Sequence, residues 1–163
     1  MVEPKRKKTA QASVAGARVL IVESDYYHDI AATLRAGATR ALDAAGATAE
    51  VITVPGALEI PQAIVLALDS ARGRMAYDGV IALGCVIRGE TSHYDIVAGE
   101  SARALMDIGI TRRIAVGNGI LTVDTAAQAK VRADKGDKGG TAAAAVLALV
   151  QLKRRLASGR RRR

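Results

Sequence analysis

Two kinds of apolar pattern take turns along the chain. Arg18-Val-Leu-Ile-Val22 is a short apolar run rich in β-branched residues, and it predicts a buried strand. From Asp29 to Ala45 the positions Ile30, Leu34, Ala38, Ala41, Leu42 and Ala45 share one helical face, with Gly46 placed to stop the helix. Glu50 to Val54 predicts a second strand, broken by Pro55-Gly56. A helix over Leu58 to Ala71 follows, tolerating Pro61 because it falls in the first turn. Gly79 to Val86 predicts a third, fully apolar strand. The pattern then predicts a helix over Thr91 to Ile108 and a strand over Arg113 to Val116 that leads into Gly117-Asn118-Gly119. Two helices, Asp124 to Ala133 and Gly140 to Leu156, complete the chain.

Strand and helix alternate, and the strands read as apolar throughout. That combination predicts a parallel sheet covered on both faces. The expected fold class is α/β: an open three-layer α/β/α sandwich of the flavodoxin-like kind, with a four-stranded parallel sheet and right-handed crossovers. The length of 163 residues suits one domain, expected over 17–157, between a flexible basic segment 1–16 and a basic tail 158–163. The run Ala142 to Ala145 suits close helix packing, within the chain or between subunits.

Composition removes several classes. Half the residues are hydrophobic, which excludes disorder, and the single cysteine, Cys85, excludes a disulfide scaffold. A lone thiol fits the reducing cytoplasm, the expected location. No apolar run approaches the roughly 20 residues of a membrane span, and the lysine-rich start leads into no apolar stretch, so no membrane or secretory signal is expected. The net charge of +8 suggests nucleic acid until its distribution is traced. It sits at the ends, on Lys5 to Lys8 and on Lys153 to Arg155 and Arg160 to Arg163, while acids outnumber bases between 19 and 149. Solvated basic ends without interleaved aromatics argue against a nucleic-acid partner.

Ligands of such sheets bind outside the carboxyl ends of the strands, where strand order reverses. That rule selects Glu23 to His28, Pro55 to Ile60, Cys85 to His93 and Gly117 to Thr122. In the third segment a glycine precedes a helix start, and Ser92 with Asp95 matches a capping-box spacing. Free backbone N–H groups there, with the Thr91 hydroxyl, would hold an anion, and an ordinary capped loop fits the same residues. Glu90 argues against an anion unless its side chain points away and only its backbone participates. His93, one of two histidines, could exchange protons near neutrality or be a plain surface residue; His28 shows no clustered acid. Glu59 at a strand mouth suits hydroxyl-rich ligands, Tyr26 suits a planar heterocycle, and each also fits a structural loop role. Arg132 could grip phosphate or neutralise Asp134 and Asp137. The histidines and the cysteine make no metal-ligand spacing. From the residues alone, a small anionic ligand at the sheet's carboxyl edge follows, and no particular reaction.

Four motifs together go further. Val54-Pro-Gly-Ala-Leu-Glu-Ile-Pro61, Ala82-Leu-Gly-Cys-Val-Ile-Arg-Gly-Glu-Thr-Ser-His-Tyr-Asp95, Gly117-Asn-Gly-Ile-Leu-Thr122 and Asp137-Lys-Gly139 closely resemble 6,7-dimethyl-8-ribityllumazine synthases, in order and spacing, from about Arg18 to Leu156. The resemblance implies condensation of 5-amino-6-(D-ribitylamino)uracil with 3,4-dihydroxy-2-butanone 4-phosphate, without metal or organic cofactor. It implies that Tyr26 stacks on the pyrimidine and that Ala57, Leu58 and Glu59 line the ribityl chain. Backbone groups of Cys85, Val86 and Ile87 would hold the uracil edge. Glu90 and Thr91, mainly through backbone N–H groups, would hold the phosphate with Arg132, and His93 would shuttle protons. It further implies a homopentamer with sites between adjacent subunits, the neighbour supplying Asn118. Asn118 and Leu58 stand where many members carry aromatics, which implies weaker stacking. The segment Arg132 to Lys138 is shorter than the connection in capsid-forming members, so the resemblance implies a free pentamer rather than a larger closed shell. A non-catalytic flavin or lumazine carrier, or a shell protein of the same fold, is the alternative.

Overall fold

The computed structural model describes residues 14–71, 73 and 76–160. Along the chain run β1 (Arg18–Ser24), α1 (His28–Ala44), β2 (Thr48–Val54), α2 (Glu59–Ser70), β3 (Gly79–Ile87), α3 (His93–Thr111), β4 (Ala115–Val123), α4 (Ala126–Ala133) and α5 (Lys138–Arg160). The four strands are all parallel, in the order β2-β1-β3-β4. The chain therefore steps outward from β1 to β2, then crosses back over β1 to β3, and order reverses between β1 and β3. The expected α/β/α sandwich is what forms.

The pleat sorts the core into two layers. Val19 and Ile21 of β1 and Ile81, Leu83 and Cys85 of β3 face α1, α4 and α5, meeting Leu34, Leu42, Ala129 and Val146. Leu20, Val22, Val80 and Ala82 point the other way, onto Ile60 and Ile64 of α2 and Leu105 and Ile108 of α3. Aliphatics fill both layers, as the near absence of aromatics requires. The edge strands depart from the expectation of strands buried on both faces. β2 is mostly exposed, Val51 included, and β4 alternates buried and accessible positions.

Local signals account for several boundaries. Gly46 ends α1 at φ +69, with its N–H bonded to the Asp43 carbonyl and that of Ala47 to the Leu42 carbonyl, both at 3.0 Å. This is a Schellman closure, and a left-handed residue there suits glycine. Pro61 is the third residue of α2, where its missing N–H costs no helical bond.

The fourth strand differs more. It starts at Ala115 and runs straight through Gly117-Asn118-Gly119 to Val123. A Cβ on Gly117 would overlap the Ala142 carbonyl of α5, and one on Gly119 would lie 2.7 Å from Leu83 Cδ2. These glycines are bare backbone against which a helix lies, not turn residues. Gly139 does the same for α1, where a Cβ would overlap the Leu34 carbonyl. Ala142 and Ala143 are buried in this contact, so that part of the alanine run packs within the chain.

Val14 is buried and the Gly16 N–H bonds the Gly46 carbonyl at 2.9 Å, so packing reaches back to Val14. Residues 1–13 of the basic segment and 161–163 of the tail lie outside the described residues, while α5 runs on to Arg160. Among the described residues no helix is long and apolar enough to cross a membrane.

Candidate active site

β1 ends early, and that opens a crevice. Its pairing with β3 stops at Glu23 opposite Leu83, whereas β3 continues beside β4 to Ile87 opposite Val123. From Gly84 onward, the flank of β3 that faces β1 has no strand partner. Cys85, Val86 and Ile87 therefore offer backbone groups at the point where strand order reverses, where ligands of open α/β sheets bind.

The mouths of β1 and β2 flank this opening. Tyr26 follows β1 and is 73% exposed, its ring edge-on to Tyr27 with centroids 5.0 Å apart. Tyr27 is half-buried beside α1, and that burial, ahead of its neighbours Tyr26 and Cys85, raises its phenol above the usual range. Of the two rings, Tyr26 is the one open to a ligand. Under this corner lies Glu23, buried, with Oε1 accepting from Arg35 and, at 3.2 Å, from Thr53 Oγ1, while Oε2 has no partner. His28 does have an acid after all: its Nδ1 lies 2.8 Å from Asp25 Oδ1.

After β2 the turn Pro55-Gly56 leads to buried Ala57, half-buried Leu58 and exposed Glu59, the first residue of α2. The Glu59 carboxylate folds back over Gly56, its Oε2 2.7 Å from where a Cβ would stand. Gly56 thus leaves room for the carboxylate at the positive end of a helix.

At the start of α3 the expected capping box is not made. Ser92 sits in the right-handed helical region (φ −68, ψ −2), its side chain bonds no N–H, and Asp95 turns to Arg88 instead. A capping side chain needs extended backbone, which Ser92 lacks. Only the Thr91 hydroxyl approaches the helix start, accepting from the His93 N–H at 3.4 Å. Glu90, Thr91, Ser92 and His93 are all exposed, with His93 in the first position of α3.

Asn118 and Arg132 lie elsewhere. Asn118 is not at a strand mouth but inside β4, opposite Ala82 and exposed on the α3 side, its Oδ1 accepting from the Ile120 N–H at 3.0 Å. Arg132, in the last turn of α4, donates to the Gln128 carbonyl at 3.4 Å and pairs with neither Asp134 nor Asp137. Asp137 is taken by Arg40 (3.6 Å) and by the Gly140 N–H (3.2 Å). Asn118 and Arg132 share a depression of ≈ 300 Å³ with Thr122, Lys138 and Thr141. One chain thus presents two half-sites. Tyr26, Ala57, Leu58, Glu59 and the Cys85–Ile87 backbone surround the β1–β3 crevice, and Asn118, Arg132 and Lys138 lie along the β4 edge.

Arg88 is the residue that the motif reading passed over. Its guanidinium bonds Asp95 Oδ1 at 3.2 Å and Asp124 Oδ1 at 3.3 Å, and lies 4.0 Å from the Tyr94 ring centroid. The hydrogen bond to Asp95, aided by Asp124, raises its pKa further, so it is permanently charged. A cation closing a strand was the one signal for it in the sequence. Cys85 is buried, and burial pushes its thiol from an ordinary 9.0 up to about 11. It therefore stays a neutral wall of the crevice. Among the described residues no cluster of metal-ligating side chains occurs.

Comparison with known proteins bears on this geometry. The family model of 6,7-dimethyl-8-ribityllumazine synthase matches residues 16–154. A protein of that name from Rhodopseudomonas palustris strain BisA53 is 54% identical over 163 residues, covering 98% of this chain and 100% of its own. One from Methylobacterium radiotolerans is 58% identical over 158 residues, 96% of this chain and 93% of its own. One from Nitrobacter winogradskyi is 59% identical over 150 residues, 90% and 92% respectively.

Proposed function

The chain belongs to the 6,7-dimethyl-8-ribityllumazine synthase family, and we propose how its two half-sites serve that reaction. It is a transferase that condenses 5-amino-6-(D-ribitylamino)uracil with 3,4-dihydroxy-2-butanone 4-phosphate. The products are 6,7-dimethyl-8-ribityllumazine, phosphate and water, in the penultimate step of riboflavin biosynthesis.

Tyr26 stacks on the pyrimidine, and the open backbone flank at Cys85, Val86 and Ile87 bonds the uracil edge. Ala57 and Leu58 line the ribityl chain, while Glu59 accepts from its hydroxyls. The uncapped start of α3 receives the phosphate on the N–H groups of Glu90 and Thr91, with the positive helix end behind them. Arg132 adds a charged fork for the same phosphate. His93 gives and takes protons as the imine forms and phosphate leaves. Holding amine against ketone supplies most of the rate, and no step requires a metal or an organic cofactor.

A homopentamer with sites between adjacent subunits fits the separation of the half-sites. A neighbour that supplies Asn118 also supplies Arg132, since both line one depression. An apolar groove of ≈ 820 Å³ beside the β4 edge, with Met106, Ile110, Leu149, Leu152 and Leu156 on its walls, supports burial of that edge in an assembly. The short Arg132–Lys138 connection favours a free pentamer over a closed shell. A single buried thiol supports a cytoplasmic location.

The observation that carries the mechanism is the crevice itself: an unpaired β3 flank between an exposed tyrosine and a helix-start carboxylate, beside an uncapped helix. Purified protein mixed with both substrates is expected to form fluorescent lumazine faster than the spontaneous reaction. Equal rates with and without protein overturn the assignment, and tight lumazine binding at equal rates indicates a carrier.

A further inference from the structure

Arg88 stands at a junction the reaction does not obviously need. Its backbone N–H donates to the Val123 carbonyl at 2.9 Å, so it is pinned to the end of β4 as β3 ends. Its side chain then spans two directions. One arm reaches Asp95, in the first turn of α3, across the face of Tyr94. The other reaches Asp124, the residue that leaves β4 for α4. From Asp124 the contacts continue: its N–H donates to Gln128 Oε1 at 2.9 Å, Gln128 N–H donates to the Thr125 cap at 3.2 Å, and the Gln128 carbonyl accepts from Arg132. A continuous polar chain therefore joins the start of α3 to the arginine at the end of α4.

We infer that Arg88 is a positioning residue for phosphate capture: it clasps the Glu90–His93 corner to the β4–α4 corner, fixing this chain's own phosphate donors at the one and, at the other, the Arg132 that this chain lends to a neighbour's site. Each ion pair in the clasp is exposed and singly worth little, so Arg88 acts through geometry rather than stability. It also explains the missing capping box. Asp95 turned back onto the helix start would accept from the Ser92 N–H; turned to Arg88, it leaves that one N–H open beside the phosphate corner. A lysine cannot span both carboxylates and also lie flat on Tyr94, because its charge is a point on a flexible stem. The inference rests on the proposed phosphate site, and its test has one arm that does not.

The first arm is amide hydrogen exchange on the whole protein, wild type against Arg88→Ala and Arg88→Lys. Faster exchange is expected in Arg88→Ala at Asp95 and at Asp124 together, with mid-strand β3 amides unchanged, and only partial recovery in Arg88→Lys. Unchanged exchange at either corner overturns the clasp, whatever the enzyme does. The second arm is steady-state kinetics. Arg88→Ala is expected to raise KM for the phosphorylated ketone about tenfold and lower kcat less, since a misplacement of about 1 Å is costly. The KM for the pyrimidine should move less than about twofold. Asp95→Asn and Asp124→Asn should each reproduce part of this, and Arg88→Ala/Asp95→Asn should be no worse than Arg88→Ala alone. Additive effects, or a rise in the pyrimidine KM instead, overturn the positioning role. Loss of all wild-type catalysis would sink the phosphate site while the exchange arm still decides the clasp.

Discussion

The two faces of β4 are built on opposite terms. Toward α5 the strand carries Gly117 and Gly119, and the helix backbone comes so close that no side chain fits between. Toward α3 the same strand shows Val116, Asn118, Ile120 and Thr122, and there Asn118 and Thr122 are exposed. One face is finished within the chain. The other is left open beside an apolar groove, with the residues assigned to a neighbour's site along it. In the proposed pentamer a single strand serves both folding and assembly, because its pleat sends alternate residues to different tasks. Changes on the α5 side should cost the fold, and changes on the α3 side should cost assembly and catalysis with the fold intact.

The largest effect is expected on the closed face. Gly117→Val forces a side chain into the Ala142 carbonyl and Val146 of α5 and should lower stability by about 3 kcal/mol or more, read by urea denaturation. A stable Gly117→Val protein would show that α5 can lift off the strand at little cost, and the contrast between the faces would fail. Near it stands Arg35→Ala, which leaves the buried Glu23 carboxylate without its cation and should cost about 3 kcal/mol.

At the β4 edge, away from the sealed contact, Arg132→Ala should raise KM for the phosphorylated ketone about tenfold or more, the worth of a charge-assisted hydrogen bond, with little change for the pyrimidine. A rise in the pyrimidine constant instead would reassign Arg132. His93→Ala should lower kcat about a hundredfold, the low end of acid–base contributions, because positioning carries most of the rate. Ile110→Glu should split the assembly, read by light scattering, while leaving the circular dichroism of each chain unchanged. A particle of unaltered mass would place the interface elsewhere.

The smallest effect concerns the wall between the faces. Burial raises the Cys85 thiol to about 11 from an ordinary 9.0, so the folded state favours the neutral form. Its contribution to stability is complete below about 9 and is lost as pH rises through about 11. Alkylation of the folded protein should accordingly be slow at pH 8, rise about tenfold per pH unit and level off only above about 11. Rapid alkylation at pH 8 would show a crevice open to reagent on its inner side.

Much of this was legible in the chain. Apolar periodicity marked every strand and helix, since each reports which side of a local element meets the core. Tyr26, Glu59 and His93 could be placed at a strand end and at two helix starts, where they lie, because such positions have local signatures. The errors share another cause. Gly117-Asn118-Gly119 looked like a strand's end because glycine signals a turn as well as a close approach, and only α5 decides between them. Ser92 and Asp95 had the right spacing for a cap, but Arg88 competes for the carboxylate. Asp25 stands only three positions before His28, and it is the turn between β1 and α1 that folds the two side chains together.

By itself the sequence determined the alternation of elements, the aliphatic core, the basic ends and the motifs that carry the chemistry. These depend on local periodicity and on residue types that a short segment contains. The tertiary structure alone decided that β1 stops short and bares the flank of β3, and that α5 seals one face of β4 while the other stays open. It alone brought Arg88 to Asp124, 36 positions away. Such pairings are set by how the whole sheet stacks its strands, and no local pattern encodes which distant groups that stacking brings together.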